Sequence, residues 1–122
     1  PGTIRREPMK KKIFAFLLSV FTLTGVATQT FANDLEEGSK MMLTKSKGNC
    51  VACHDFGNAT QPGSMGPELI GIKKKFPTKS LLRKRVWDAT RFNPISAMPP
   101  FGRNRILSEK EIDQIVAYLI TL

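Results

Sequence analysis

The sequence predicts an all-α fold in one small domain, and three observations carry that prediction. Helical periodicity marks the last stretch, where Ile112, Ile115, Val116, Leu119 and Ile120 repeat at i, i+3, i+4, i+7 and i+8. Helix-start chemistry appears twice, at Asp34 with Glu37 and at Ser108 with Glu111, each a capping residue followed three positions later by a glutamate. The third observation is Cys50-Val51-Ala52-Cys53-His54, with no strand or βαβ pattern before it.

Two cysteines three apart, with histidine next, form the c-type haem attachment pattern. Each thiol adds across one haem vinyl group to give a thioether, and the next residue then lies under the iron as an axial ligand. A redox dithiol would need the strand that is missing here. A zinc site would need about four ligands, and the chain offers two Cys and one His. One covalent haem c is therefore expected on Cys50 and Cys53, with His54 on the iron. A short chain buries a limited core, and a flat apolar cofactor staples it. Helices wrapped around such a disc constitute the class I cytochrome c fold.

The elements follow in order. Residues 1–8 read as an upstream extension with no role in the fold. Residues 9–32 read as a secretory signal peptide. Met9-Lys10-Lys11-Lys12 is the basic start, residues 13–26 are mostly apolar, and Thr30-Phe31-Ala32 offers a cleavage site after Ala32. The apolar run is shorter than the roughly 18–20 residues that span a bilayer. Arg5-Arg6 lies too far from it to serve as a twin-arginine signal. The mature chain, residues 33–122, is then expected in the periplasm without a membrane span.

The whole chain has a formal charge of +9. From Asn33 onward, 14 Lys and Arg stand against 9 Asp and Glu, which leaves +5. Part of the basicity belongs to the leader, and nucleic acid is not expected as a partner of an exported chain. A basic docking face for a protein fits better.

Asp34 is expected to cap a first helix over residues 35–45. Gly38 inside it either admits a close helix crossing or is merely tolerated. The C-terminal helix is expected to cross there. Gly48 to Ile72 reads as a haem-wrapping loop rich in Gly and Pro. The carbonyl of Pro67 is expected to accept the Nδ1–H of His54, an ordinary turn being the alternative. A second helix is expected over residues 79–89, opened by Pro77 or Thr78. On it Trp87 reads as core or as a shield at the haem edge. Lys73, Lys74, Lys75, Lys79, Arg83, Lys84 and Arg85 form a solvated face or a docking patch.

His54 is the only histidine, so the second axial position is either taken by Met41, Met42, Met65 or Met98 or left open. Met41 and Met42 fall on the first helix as core. Met65 is eleven residues after His54, in the loop on the histidine side, and is the lesser candidate. Met98, in the proline-bracketed Met98-Pro99-Pro100, is the expected ligand. Thioether sulfur favours ferrous iron, and a six-coordinate iron carries electrons and leaves no place for substrate.

Gly48 through His54, Gly66-Pro67, Val86-Trp87-Asp88-Ala89-Thr90, Asn93-Pro94, Met98-Pro99-Pro100-Phe101-Gly102-Arg103 and Ile106 to Leu122 together resemble SoxX. SoxX is the small monohaem subunit of the SoxAX cytochrome of sulfur oxidation. The resemblance covers nearly all of the mature chain. It implies a larger SoxA partner with one or two haems, oxidative joining of thiosulfate to a cysteine of the carrier SoxY, and a small acceptor cytochrome. It also implies that Cys50, Cys53, His54 and Met98 hold the haem. The catalytic cysteine of this L-cysteine S-thiosulfotransferase complex would lie in SoxA, with none in this chain. A free periplasmic shuttle and a haem-stabilised interaction module are the competing readings.

Overall fold

The computed structural model describes residue 2 and residues 26–122, with residue 58 excepted. The basic start and nearly all of the apolar run of the expected leader lie outside the described residues. Contacts divide the chain into two compact units, Pro1–Phe31 and Ala32–Leu122. Four helices contribute to the second: α1 (Val26–Leu43), α2 (Ile72–Lys75), α3 (Lys79–Trp87) and α4 (Glu109–Leu119). Two single 3₁₀ turns, Cys50–Ala52 and Ala89–Arg91, complete the regular structure, and no strand occurs among the described residues.

Helix α4 starts as its sequence dictates. Ser108 Oγ accepts from the Glu111 backbone N–H, and the Glu111 carboxylate accepts from the Ser108 N–H at 2.8 Å. Both halves of the capping box are therefore made. Glu111 also takes Lys47 Nζ at 2.6 Å, which ties the turn after α1 to the start of α4. Lys47 and the Ser108 N–H hold the Glu111 carboxyl down at about 2. The apolar stripe is buried as its period requires: Ile112 and Val116 are fully buried and Ile115 and Leu119 nearly so. Each such side chain contributes about 1.5–3 kcal/mol relative to exposure.

Helix α1 differs from the sequence reading. It already runs through residues 26–34, so Asp34 lies inside it and does not cap it. Amide N–H groups beyond the first turn of a helix are already bonded, which leaves nothing there to cap. The Asp34 carboxylate instead accepts from Gln114 Nε2 of α4 at 2.8 Å. The helix also stops at Leu43, before the expected Lys45, with a turn over residues 45–48. The crossing expected at Gly38 is present and very close: a Cβ there would stand 2.2 Å from the Gln114 carbonyl oxygen. Only a residue without a side chain fits between the two backbones.

Thr78 opens α3, its Oγ1 accepting from the Leu81 N–H at 3.3 Å. Leu82 and Val86 face inward. Arg83 joins α3 to α4 through Glu109 and, at 2.6 Å, Asp113. Those two carboxylates raise the pKa of its guanidinium above the usual value. One helix was absent from the sequence reading. Gly71 turns the chain with φ 60°, and α2 follows as a single turn that buries Ile72 and exposes Lys73, Lys74 and Lys75.

Candidate haem site

The attachment stretch is built by one tight turn. Asn49 takes the left-handed region at φ 47° and starts the 3₁₀ turn at Cys50. The N–H groups of Cys53 and His54 both donate to the Cys50 carbonyl, at 3.1 and 2.9 Å. Both cysteines are unpaired thiols and half-buried. Burial pushes the Cys50 thiol up to about 11. Reactive redox cysteines have depressed pKa values, so this environment argues against a thioredoxin-like dithiol.

The following loop is stitched back onto the attachment stretch. Gly63 N–H donates to Val51 O at 2.8 Å, Gly66 N–H to Cys53 O at 2.7 Å, and Leu69 N–H to Asp55 O at 2.7 Å. These bonds bring Pro67 over the histidine. The Pro67 carbonyl lies 2.6 Å from His54 Nδ1, the contact anticipated from the Gly66-Pro67 pair. A carbonyl only accepts, so Nδ1 carries the proton and Nε2 keeps its lone pair for a metal. Gly66 presses on the ring: a Cβ there would stand 2.4 Å from His54 Cε1 and 2.6 Å from Nδ1. The sequence reading used Pro67 and missed this role of Gly66. A glycine immediately before the proline was the available signal.

The methionines separate by environment. Met41 and Met42 are core, 7% and 0% exposed, whereas Met65 is 75% exposed. Met98 is half-buried against the core cluster, and its N–H donates to Ser96 Oγ at 3.3 Å. Trp87 is partly buried, its indole against Gly102 on the far side of the Met98 loop and the Arg83 guanidinium 5.4 Å from its ring centroid. Nearby, Arg85 stacks over Phe92 at 3.9 Å.

This donor set fits a covalent haem: two unpaired thiols three apart, an imidazole whose Nδ1 proton is already engaged, and a loop thioether. The zinc alternative gains no support, because no group of three or more His, Cys, Asp or Glu able to hold a metal ion occurs among the described residues. Residues 33–119 match the family model for cytochrome c oxidase, cbb3-type, subunit III. The chain belongs to this cytochrome family. It has the class I cytochrome c fold, and its chemistry is haem electron transfer with covalent haem c as cofactor.

A solved structure, SoxXA from P. pantotrophus, is similar at 31% identity with a TM-score of 0.64, covering 70% of this chain and 79% of that one. The chain is thus a SoxX-like cytochrome. An uncharacterized lipoprotein of Aquifex aeolicus (strain VF5) is 36% identical over 74 residues, 60% of this chain. The chain spans 36% of the length of that curated relative. No helix among the described residues is long and apolar enough to cross a membrane.

Proposed function

We propose that this chain is the monohaem electron-transfer subunit of a SoxAX-type complex. The observation that carries this reading is the likeness to SoxXA over 79% of that chain at 31% identity. Cys50 and Cys53 would hold one haem by thioethers, with His54 Nε2 and Met98 Sδ on the iron. When bound, the haem supplies a one-electron carrier of raised potential. The protein's part is to fix the two ligands and exclude water. Pro67 sets the tautomer of His54 and Gly66 sets the plane of its ring. Met98, half-buried against the core cluster, would supply the second ligand from its loop.

In the complex, a SoxA-type partner would supply the reactive cysteine. Joining thiosulfate to a cysteine of the carrier SoxY releases two electrons. With one haem held by Cys50, Cys53, His54 and Met98, this chain would pass these one at a time to a small acceptor cytochrome. Residues 9–32 act as the leader that delivers residues 33–122 to the periplasm, the compartment in which C-x-x-C-H acquires haem. The exposed lysines of α2 serve as part of a docking face. Arg83, tied to Glu109 and Asp113, is a poorer candidate for that face than the sequence alone implies.

The test is purification of the tagged mature chain from its native periplasm, with a haem stain of what accompanies it. A larger haem protein should co-purify, and the pair should reduce an acceptor cytochrome only when thiosulfate and the carrier are both supplied. A monomer that exchanges electrons with acceptors and ignores thiosulfate would instead make the chain a free shuttle.

A further inference from the structure

The loop that carries Met98 runs from Phe92 to Phe101 and is neither helix nor strand. Within it, Ser96 N–H donates to Asn93 O at 3.0 Å and Phe101 N–H to Pro99 O at 2.9 Å. Its two ends return to one place. Upstream, the N–H groups of Phe92 and Asn93 both donate to Ala89 O at 3.1 Å, and downstream Gly102 N–H donates to Trp87 O at 3.0 Å. Asp88 sits between these anchors and is 1% exposed.

The Asp88 carboxylate bonds both limbs. Oδ1 accepts from Thr90 N–H at 3.1 Å and from Thr90 Oγ1 at 2.5 Å, on the upstream limb. Oδ2 pairs with Arg103 Nη1 at 2.9 Å, on the downstream limb. Arg103 Nη1 also donates to Thr90 Oγ1 at 3.2 Å, which closes the set. An apolar side chain could fill this site, but it would bond neither limb. Thioether sulfur is a weak donor, so its hold on iron depends on how little freedom the loop has to lose.

We infer that Asp88, bonded to Thr90 and Arg103, is the positioning residue that clasps the two ends of the Met98 loop and keeps the thioether over the haem site. This rests on the reading of Met98 as the iron ligand. The clasp lies outside the donor set and acts only through the loop.

The test uses the covalent holoprotein in six forms: parent, Met98→Ala, Arg103→Gln, Arg103→Lys, Asp88→Asn and Arg83→Gln. Arg103 is exposed, so its replacement leaves the core untouched. Each form is read by the weak red absorption of iron–thioether coordination, by the midpoint potential, and by carbon monoxide binding to the ferrous haem. Met98→Ala should lose the band entirely. Arg103→Gln should weaken it, lower the potential, and raise the apparent affinity for carbon monoxide at least tenfold, with Arg103→Lys recovering part of each change. Asp88→Asn should match Arg103→Gln, while Arg83→Gln, which breaks the α3–α4 ion pairs, should alter thermal stability alone.

If Met98→Ala loses the band while Arg103→Gln and Asp88→Asn match the parent in all three readouts, the clasp is refuted and the ligand assignment stands. If Met98→Ala keeps the band, both fail. A Met98→Ala loss with Arg83→Gln shifting the band as strongly as Arg103→Gln would also refute the clasp, since any loosening of α3 would then suffice.

Discussion

Replacing Gly38 by alanine separates two opposing effects on one residue. In an isolated helix the change stabilises by about 1 kcal/mol, because alanine restricts the unfolded chain and suits the helix. Here Gly38 is buried at the crossing of α1 and α4. The new Cβ would stand 2.2 Å from Gln114 O, 2.7 Å from Gln114 C and 3.2 Å from Ile115 N. All three are backbone atoms, so no rotamer change relieves the contact. Ordinary contact begins at 3.4 Å, so the helices must separate by about 1.2 Å. That shift loosens Met42, Ile112, Ile115 and Val116, which are almost wholly buried nearby.

Overpacking of this kind costs typically 1–3 kcal/mol, and more when backbone must move. At this rigid backbone contact the cost is about 2–4 kcal/mol, which outweighs the propensity gain of about 1 kcal/mol and leaves a net loss of about 1–3 kcal/mol. For a domain of this size that corresponds to a fall of roughly 5–20 °C in Tm. The assay is thermal unfolding of the holoprotein followed by far-UV circular dichroism and the haem absorption, with Ser39→Ala on the same helix as the reference. A Gly38→Ala protein as stable as the parent, or more stable, would refute the close crossing and leave propensity in charge.

Other outcomes follow from the same contacts. Gly66→Ala should displace the His54 ring and break its 2.6 Å bond to Pro67; loss of such an outer partner typically costs 10–100-fold in metal affinity, and an unchanged midpoint potential with unchanged haem incorporation would refute it. Glu111, held down at about 2 from 4.5, contributes stability that is fully present above pH 4.5 and is lost as pH falls toward 2. Because Lys47 is 47% exposed, screening limits that contribution to about 1 kcal/mol. Glu111→Gln should therefore be less stable at neutral pH and converge with the parent near pH 2, as followed by urea unfolding. Reversing Lys73, Lys74 and Lys75 to glutamate should slow partner association about tenfold at low salt and little at high salt. Equal rates at both ionic strengths would make these lysines plain surface.

Features encoded over three or four residues were legible in the sequence. The Ser108–Glu111 capping box and the Thr78 cap are each complete within one helical turn, and the α4 stripe repeats inside a single helix. Pro67 was legible because the chemistry of an iron-bound imidazole demands an acceptor at Nδ1. Asp34 misled because its local pattern is a good cap signal, yet the helix continues upstream and the carboxylate finds Gln114, 80 residues away. Arg83 misled in the same way: its acids are 26 and 30 residues on, and nothing adjacent announces them. The single turn of α2 is too short to give a period. Asp88 was visible only as part of a motif, since its role depends on two limbs that meet in space.

Trp87 is the only tryptophan in the chain, and its indole rests on Gly102 at the hinge of the Met98 loop. Under the proposed ligation by Met98, the protein carries an optical reporter beside the ligand loop. A nearby porphyrin quenches indole emission by energy transfer, and the quenching falls steeply as the two separate. Detachment of the loop would brighten this one fluorophore before the helices melt, so a stopped-flow trace could resolve loop release from global unfolding without any label.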